Sequence, residues 1–310
     1  MRYLDHDAVC QALPWDRLIA ALRETFAAGC EAPLRTVHPL AVPGEPNASV
    51  LMMPAWQAGD TLVVKIVTVM PGNGARGMQA VHAVALAFDA RDGTLRALLD
   101  GDAVTERRTA AASALAADFL ARRDAAHLLI VGAGRIAENL ASAHASVRAY
   151  RRISVWARRT DAAEAFVATL RGIADVRIAS SLEAAVREAD VISCATLATE
   201  PLVQGAWLKP GAHLDLVGAY RSHMRESDDG AVRRADVIYV DTFTGALAEG
   251  GDIVQPLAAG VLSRERIAGE LADLCRGTGP SRPDDNAITL FKSVGTALED
   301  YAAVKLALKG

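Results

Sequence analysis

The segment His127-Leu-Leu-Ile-Val-Gly-Ala-Gly-Arg-Ile-Ala137 indicates the fold most clearly. It opens with a short apolar run, which suits a strand buried on both faces, and continues into a glycine-rich turn. Gly132 permits the tight turn, Gly134 lets a pyrophosphate approach the main chain, and Ala137 permits close packing of helix on strand. The free N–H groups at the start of that helix attract phosphate. The stretch therefore predicts a dinucleotide site, and the alternative is an ordinary strand-to-helix turn built from small residues.

The residues that follow Ala126 alternate between strand-like and helix-like segments. Strands are predicted near 127–131, 152–156, 176–178, 190–194, 213–217 and 236–240, and helices near 135–148, 161–171, 181–188 and 228–234. Alternation at this spacing is typical of βαβ crossovers. It predicts an α/β fold with a doubly wound, Rossmann-type parallel sheet, and we assign this NAD(P)-binding domain to residues 124–287.

The rest of the chain predicts a domain of another kind. Residues 33–100 are strand-like runs separated by proline, glycine and aspartate, which is typical of antiparallel strands. A helix is predicted over 103–122 with Thr105 as its N-cap, and a last helix over about 287–308. Residues 1–123 and 288–310 are therefore expected to form a β-rich α+β substrate domain.

Composition narrows the class of protein. The 310 residues are 51% hydrophobic and carry a formal net charge of −4, with no basic tract for nucleic acid or an anionic membrane. The four cysteines and seven histidines show no metal-ligand spacing, so no metal site is predicted. The sequence MRYLDHDAVC at the start lacks the features of a secretory signal, and no apolar run reaches the ~18–20 residues of a membrane span. A cytoplasmic location is expected.

The end of the second predicted strand bears on the choice of cofactor. An acid at this place binds the ribose 2′-OH of NAD, whereas arginine suits a 2′-phosphate. Here the strand Ile153-Ser-Val-Trp156 is followed by Ala157, Arg158, Arg159 and Thr160, with no acid at the tip. NADP(H) is therefore favoured and NAD(H) is possible. The alternative is that the two arginines are a solvated surface pair.

Segments along nearly the whole chain resemble the ornithine cyclodeaminase/mu-crystallin family. They are Pro33-Leu-Arg35, Met53-Pro-Ala55, Val64-Lys-Ile-Val67 with Pro71-Gly-Asn73, Arg108-Thr-Ala-Ala-Ala-Ser113, Gly211-Ala-His-Leu-Asp-Leu-Val-Gly218 with Arg225-Glu226, and Phe291-Lys-Ser-Val-Gly295 with Glu299-Asp300. The family contains ornithine cyclodeaminases, amino-acid dehydrogenases and reductases of cyclic ketimines. The resemblance implies a homodimer built through the β-rich domain, with the active site between the domains.

Three cations are candidates for binding the carboxylate that all these substrates share. Arg35, Lys65 and Arg108 match the family's carboxylate-binding positions, and arginine offers a fork that fits a carboxylate. Neighbouring arginines should lower the pKa of Lys65, so that it could move a proton at the substrate nitrogen as the catalytic residue. The alternatives are that Arg35 is a surface residue and that Arg107 and Arg108 form a solvated pair.

Further residues are predicted to touch the cofactor, because ligands of parallel sheets bind outside the carboxyl ends of the strands. They are Arg135 and Ile136 in the glycine-rich turn, Thr109 next to Arg108, Cys194, Ala195 and Thr196 after one strand, Val217 and Gly218 after the next, and Ser293 at the head of the last helix. For Thr109, Ser293 and the two strand-end loops, simple loop packing is the alternative.

Two departures from the family pattern guide the choice of function. Ile136 stands where the family often has glutamine, and Tyr220 stands where ornithine cyclodeaminases carry an acid. A phenol is a poor base at neutral pH, with an unperturbed pKa of about 10. We therefore expect an NAD(P)H-dependent reductase of a cyclic ketimine carboxylate, of the pyrroline or piperideine type, or an enzyme interconverting an amino acid and its imine. The alternatives are an ornithine cyclodeaminase, which forms proline and ammonia, and a non-catalytic nucleotide-bound protein of crystallin type.

Overall fold

The computed structural model describes residues 1–170 and 172–309. These residues form two compact units, one of Met1–Arg108 with the residues from Thr296 onward, the other of Thr109–Gly295. The unit boundaries lie after Arg108 and Gly295 rather than near 123 and 287. They differ because most of one long helix, and a strand that follows residue 287, belong to the second unit.

The first unit is built on a six-stranded sheet. Its elements are β1 (Arg2–Leu4), α1 (His6–Ala12), α2 (Trp15–Ala28), β2 (Thr36–Leu40), β3 (Ala48–Trp56), β4 (Thr61–Val69), a 3₁₀ helix (Pro71–Arg76), β5 (Val81–Asp89) and β6 (Leu95–Asp100). The strand order is β1-β6-β5-β4-β3-β2, and all pairs except β1 with β6 are antiparallel. The last helix of the chain, Ala297–Ala307, contacts β3, β4 and α2. This helix covers one face of the sheet.

Helix α3 (Gly101–Leu120) begins directly after β6 and runs on into the second unit. It starts earlier than predicted, because the Asp100 carboxylate accepts a hydrogen bond from the Ala103 N–H. Thr105 is therefore not the N-cap, and its hydroxyl donates back to the Gly101 carbonyl inside the first turn.

The second unit contains an eight-stranded sheet in which every strand pair is parallel. Its elements are β7 (His127–Val131), α4 (Arg135–Val147), β8 (Arg152–Trp156), α5 (Thr160–Thr169), β9 (Asp175–Ile178), α6 (Leu182–Glu188), β10 (Val191–Cys194), β11 (His213–Leu216), α7 (Asp229–Arg234), β12 (Val237–Val240), α8 (Phe243–Glu249), α9 (Gly251–Ala258), β13 (Ile267–Glu270), α10 (Leu271–Arg276) and β14 (Thr289–Lys292), with α11 being the last helix Ala297–Ala307. The order β13-β12-β14-β11-β10-β7-β8-β9 reverses direction between β7 and β10. This confirms the predicted Rossmann-type sheet.

The end of the chain differs from the prediction. Residues 289–292 form β14 between β11 and β12, and the last helix begins only at Ala297, capped by the Thr296 hydroxyl. Residues 289–292 were not predicted as a strand, because four residues that include a lysine show no strand pattern and the strands that pair with them are distant in sequence. Ser293 consequently follows a strand instead of heading a helix. The helix predicted over 161–171 spans Thr160–Thr169, and Arg171 lies outside the described residues.

Within the described residues, no helix is long and apolar enough to cross a membrane. Likewise, no group of three or more histidine, cysteine, aspartate or glutamate side chains in ranges 1–170 and 172–309 could hold a metal ion.

Candidate active site

The glycine-rich turn after β7 has the geometry of a phosphate-binding loop. Gly132 has a φ of 125°, and a Cβ there would lie 2.6 Å from the Ala195 carbonyl oxygen. Gly134 is the N-cap of α4, and nothing lies within 4 Å of the position its Cβ would take. Ala137, in the first turn of α4, is fully buried. The turn therefore needs glycine at its first position and leaves room for a ligand beside the α4 N-terminus.

The loops that follow the central strands lie side by side at the same edge of the sheet. The Ala195 N–H donates to the Val131 carbonyl at 2.9 Å, and the Val217 N–H donates to the Cys194 carbonyl at 2.8 Å. The Ser293 N–H continues this row by donating to the Leu216 carbonyl at 3.1 Å. The structure thus brings the predicted strand-end residues together around the point where strand order reverses, which is where doubly wound sheets bind ligands.

The predicted cofactor residues differ in what they expose. The side chains of Cys194, Val217, Ser293 and Thr109 are buried, and burial raises the pKa of the Cys194 thiol. These residues therefore present little more than main chain to a ligand. Arg135 and Ile136 are half-buried at the start of α4, whereas Arg158, Arg159 and Thr160 are exposed after β8. Arg159 lies 3.4 Å from the Asp161 carboxylate in an exposed ion pair.

A compact group of charged side chains occupies the covered face of the first unit's sheet. Lys65 lies at the middle of β4 and is 1% exposed, and its Nζ donates to Asp300 Oδ1 at 2.8 Å and to Thr105 Oγ1 at 3.2 Å. Arg108 donates from Nε to the same Asp300 oxygen at 2.9 Å and from Nη1 to the carboxylate of Glu299. Two buried cations are therefore tied to two carboxylates on α11.

The hydrogen bonds leave donors of both cations unused. An ammonium has three N–H donors and a guanidinium has five. Among residues 1–170 and 172–309, Lys65 Nζ has two hydrogen-bond partners and Arg108 Nη2 has none. These nitrogens are thus held in place by the protein while retaining capacity for the oxygens of a ligand carboxylate.

The charges shift the titration of the group in the predicted direction. Burial lowers the pKa of Lys65 to about 8, and the charges of Arg108 and Arg35 act in the same sense, while the Asp300 carboxylate opposes them. Burial disfavours the charged form of Arg108 as well, but Asp300 and Glu299 outweigh it and raise the pKa of that guanidinium. Arg35 is half-buried and lies near enough for its charge to act on Lys65.

The alternative of a solvated arginine pair on α3 does not hold. Arg107 stacks over the ring of Trp15 at 3.5 Å and donates to the Leu13 carbonyl. Arg108 is 4% exposed and donates to Asp300 and Glu299. The two neighbouring arginines therefore have different partners, and Arg108 is not solvated.

Glu299 and Asp300 belong to the segments that resemble the family, but no role was predicted for them. Both side chains are fully buried at the first turn of α11. Two adjacent acids in a largely apolar helix were the available signal, because buried carboxylates require partners. Their partners come from a strand and a helix more than 190 positions away in sequence.

The acids near Tyr220 are already engaged. The Glu226 carboxylate is fully buried and accepts hydrogen bonds from the main chain of Thr196 and Gly218. Asp228 caps α7 and accepts from the Gly205 N–H at 2.7 Å and the Ala231 N–H at 2.9 Å. Tyr220 itself is half-buried. Both carboxylates are therefore already hydrogen-bonded to main-chain groups of the second unit.

Comparison with known proteins agrees with the motifs. The model of the ornithine cyclodeaminase/mu-crystallin family matches residues 8–308. The Delta(1)-pyrroline-2-carboxylate reductase of Paracoccus denitrificans is 39% identical over 298 residues, covering 96% of this chain and 92% of that protein. The ketimine reductase mu-crystallin of Mus musculus is 37% identical over 294 residues, covering 94% and 89%.

Solved structures agree as well. The structure of Thermococcus litoralis Delta(1)-pyrroline-2-carboxylate reductase, in complex with NADH and L-proline, superposes with a TM-score of 0.93 at 32% identity and covers 100% of this chain and 97% of that one. The match therefore extends over both units of the chain. On these grounds the chain belongs to the ornithine cyclodeaminase/mu-crystallin family.

Proposed function

We propose that this protein is an NAD(P)H-dependent reductase of cyclic ketimine carboxylates, of the pyrroline- or piperideine-2-carboxylate type. The observation that carries the proposal is the pair of buried cations, Lys65 and Arg108, each fixed by a carboxylate and each with an unused donor. Relatives named as pyrroline-2-carboxylate and ketimine reductases support it. In this reaction the cyclic imine, NAD(P)H and a proton are converted to the cyclic amino acid and NAD(P)⁺.

The first unit would bind and activate the substrate. Arg108 and Lys65, with Arg35, would hold the carboxylate through charge-assisted hydrogen bonds and draw electron density from the adjacent imine carbon. With a pKa of about 8, Lys65 is largely protonated at neutral pH and can deliver a proton to the ring nitrogen. The same groups serve the reverse reaction, the oxidation of an amino acid to its imine.

The second unit would bind the dinucleotide. The open space beside Gly134 and the positive N-terminal end of the 13-residue helix α4 fit a pyrophosphate, and bound NAD(P)H would supply the hydride. The exposed Arg158 and Arg159, with no acid between them and Trp156, favour NADP(H) through a 2′-phosphate. Thr160, at the first position of α5, would stand next to the same group.

A second copy of the chain is the partner we propose for the outer face of the six-stranded sheet. Met52, Ile66 and Val84 lie opposite one another across β3, β4 and β5, on the face that does not carry Lys65. Met52 is 40% exposed, and Leu40, which lies on the same face of the edge strand β2, is 42% exposed. An apolar face of this kind suits an isologous dimer, in which the same patch meets itself.

The experiment that tests the function follows NAD(P)H oxidation with Δ1-pyrroline-2-carboxylate and Δ1-piperideine-2-carboxylate. We expect turnover with at least one ring size and none with proline plus NAD(P)H. Incubation with L-ornithine and NAD⁺ should release no ammonia, because Tyr220 cannot accept the proton of the attacking amine. Sustained release of proline and ammonia would instead identify an ornithine cyclodeaminase. Binding of NAD(P)H without any turnover would identify a crystallin-type binding protein.

A further inference from the structure

Glu226 joins two loops at the carboxyl edge of the parallel sheet. Its Oε1 accepts hydrogen bonds from the Thr196 N–H at 2.7 Å and from the Thr196 hydroxyl at 2.8 Å. Its Oε2 accepts from the Gly218 N–H at 2.7 Å and the Ala219 N–H at 3.3 Å. One carboxylate thus receives four donors from the segments that follow β10 and β11.

The contact leaves no space for a side chain between the loops. A Cβ on Gly218 would lie 2.0 Å from the Thr196 carbonyl oxygen and 2.6 Å from Glu226 Oε1. Glycine is therefore required at this position because the two loops approach each other closely, and the Glu226 carboxylate sets the distance between them.

A second carboxylate fixes Glu226 from behind. The N–H groups of Glu226 and Ser227 donate to Asp252 Oδ1 at 2.9 and 3.0 Å, and Asp252 Oδ2 lies 3.1 Å from Lys292 Nζ. Glu226, Asp252 and Lys292 are all fully buried. Since Lys292 ends β14, this chain of contacts connects the ends of three neighbouring strands, β10, β11 and β14.

Burial of a carboxylate costs free energy, because the charged group loses its hydration. Burial raises the pKa of Glu226 to about 7, with the Lys292 ammonium acting against it and the Asp252 carboxylate with it. Apolar replacements of buried charged groups are often neutral or stabilising, so stability alone does not explain this group. The groups that it holds lie where doubly wound sheets bind the half of the dinucleotide opposite to the glycine-rich turn.

We propose that Glu226 is a positioning residue that sets the loops after β10 and β11 for the nicotinamide half of the cofactor. The proposal rests on the proposed function, because it assumes that NAD(P)H binds at this edge of the sheet. The carboxylate does not touch substrate. It orients the Thr196 and Gly218 main chain, and loss of that orientation would loosen the nicotinamide ribose and ring while leaving the adenosine half bound.

The test compares Glu226→Gln with a matched control at the opposite edge of the same sheet. In the glutamine variant one oxygen becomes an NH₂ donor that faces an N–H donor. Asp190 also accepts from main-chain N–H groups, those of Ala126 at 2.8 Å and His127 at 2.9 Å, but at the start of β7. Asp190 is also paired with Arg122 and Lys209, so Asp190→Asn removes a carboxylate charge and weakens main-chain contacts far from the carboxyl ends of the strands.

We measure binding of NADPH, NADH and ADP-ribose by calorimetry, together with the melting temperature, kcat and KM. For Glu226→Gln we expect NAD(P)H affinity to fall about tenfold or more and kcat to fall, with ADP-ribose affinity unchanged. Asp190→Asn should lower the melting temperature and leave all three affinities intact. Glu226→Asp, which keeps the charge but reaches fewer donors, should give a smaller loss and serves as the test if the glutamine variant does not fold.

Unchanged NAD(P)H affinity and kcat in the Glu226 variants would overturn the proposal. Equal loss of ADP-ribose and NAD(P)H binding would also overturn it, since that pattern indicates a general structural defect. A wild-type protein that binds no NAD(P)H would instead refute the proposed function, so the two failures are distinguishable.

Discussion

Replacing Asp300 with asparagine should move the pH dependence of catalysis, because this carboxylate sets the titration of Lys65. Asp300 Oδ1 lies 2.8 Å from Lys65 Nζ and 2.9 Å from Arg108 Nε, and both Asp300 and Lys65 are buried. The pKa of Lys65 is about 8, and Asp300 is what keeps it from falling further. The substitution keeps the shape and an acceptor oxygen while it removes the negative charge.

The size of the shift follows from the hydrogen bond that changes. A charge-assisted hydrogen bond contributes about 1.5–3 kcal/mol. At about 1.4 kcal/mol per pKa unit, its loss lowers the pKa of Lys65 by about one to two units. In the wild type, activity that needs the protonated ammonium should decline as the pH rises through about 8. In Asp300→Asn the decline should begin at about pH 6–7.

The assay measures NADPH oxidation with a cyclic ketimine carboxylate. We determine kcat/KM between about pH 5.5 and 9.5, a range that includes the expected pKa of Lys65 in both proteins. Glu299→Gln is the matched control, because the Glu299 carboxylate accepts from Arg108, whereas the hydrogen bonds of Lys65 go to Asp300 and Thr105. It should raise KM and shift the basic limb little. Lys65→Met should remove the limb. A basic limb at the same pH in Asp300→Asn and in the wild type would refute the reasoning.

Four other variants test separate parts of the structure. Arg108→Leu should lower kcat/KM for the imine about 10²-fold or more through loss of charge-assisted bonds, with cofactor affinity nearly unchanged in a fluorescence titration. Arg158→Ala combined with Arg159→Ala should weaken NADPH binding at least about tenfold and leave NADH binding intact; equal effects on both would exclude a 2′-phosphate contact. Gly132→Ala should abolish cofactor binding, because a Cβ there meets a main-chain oxygen at 2.6 Å; normal binding in calorimetry would contradict the geometry. Ile66→Asp should convert a dimer to a monomer in sedimentation velocity, and a wild-type monomer would refute the proposed interface.

Features that depend on local chemistry could be predicted from the residues alone. The apolar run of β7 and the glycines after it specify a strand, a tight turn and a helix through steric rules that act over a few residues. The alternation after residue 126 specified the parallel sheet in the same way. Lys65 could be selected as a candidate site residue because burying an isolated lysine in an apolar strand costs free energy unless it has a partner.

Other features were decided by contacts between segments far apart in the chain. β14 was not predicted, because four residues that include a lysine show no strand pattern of their own. The strand is stabilised by its pairing with β11 on one side and β12 on the other, and by the ion pair of Lys292 with Asp252. The roles of Asp300 and Glu226 likewise depend on partners that only folding brings within 3 Å. A residue's type limits what it can do, but hydrogen bonds and charge interactions fall off within a few ångströms. The partners of a buried carboxylate therefore follow from the folded arrangement of distant segments and not from the residues next to it in sequence.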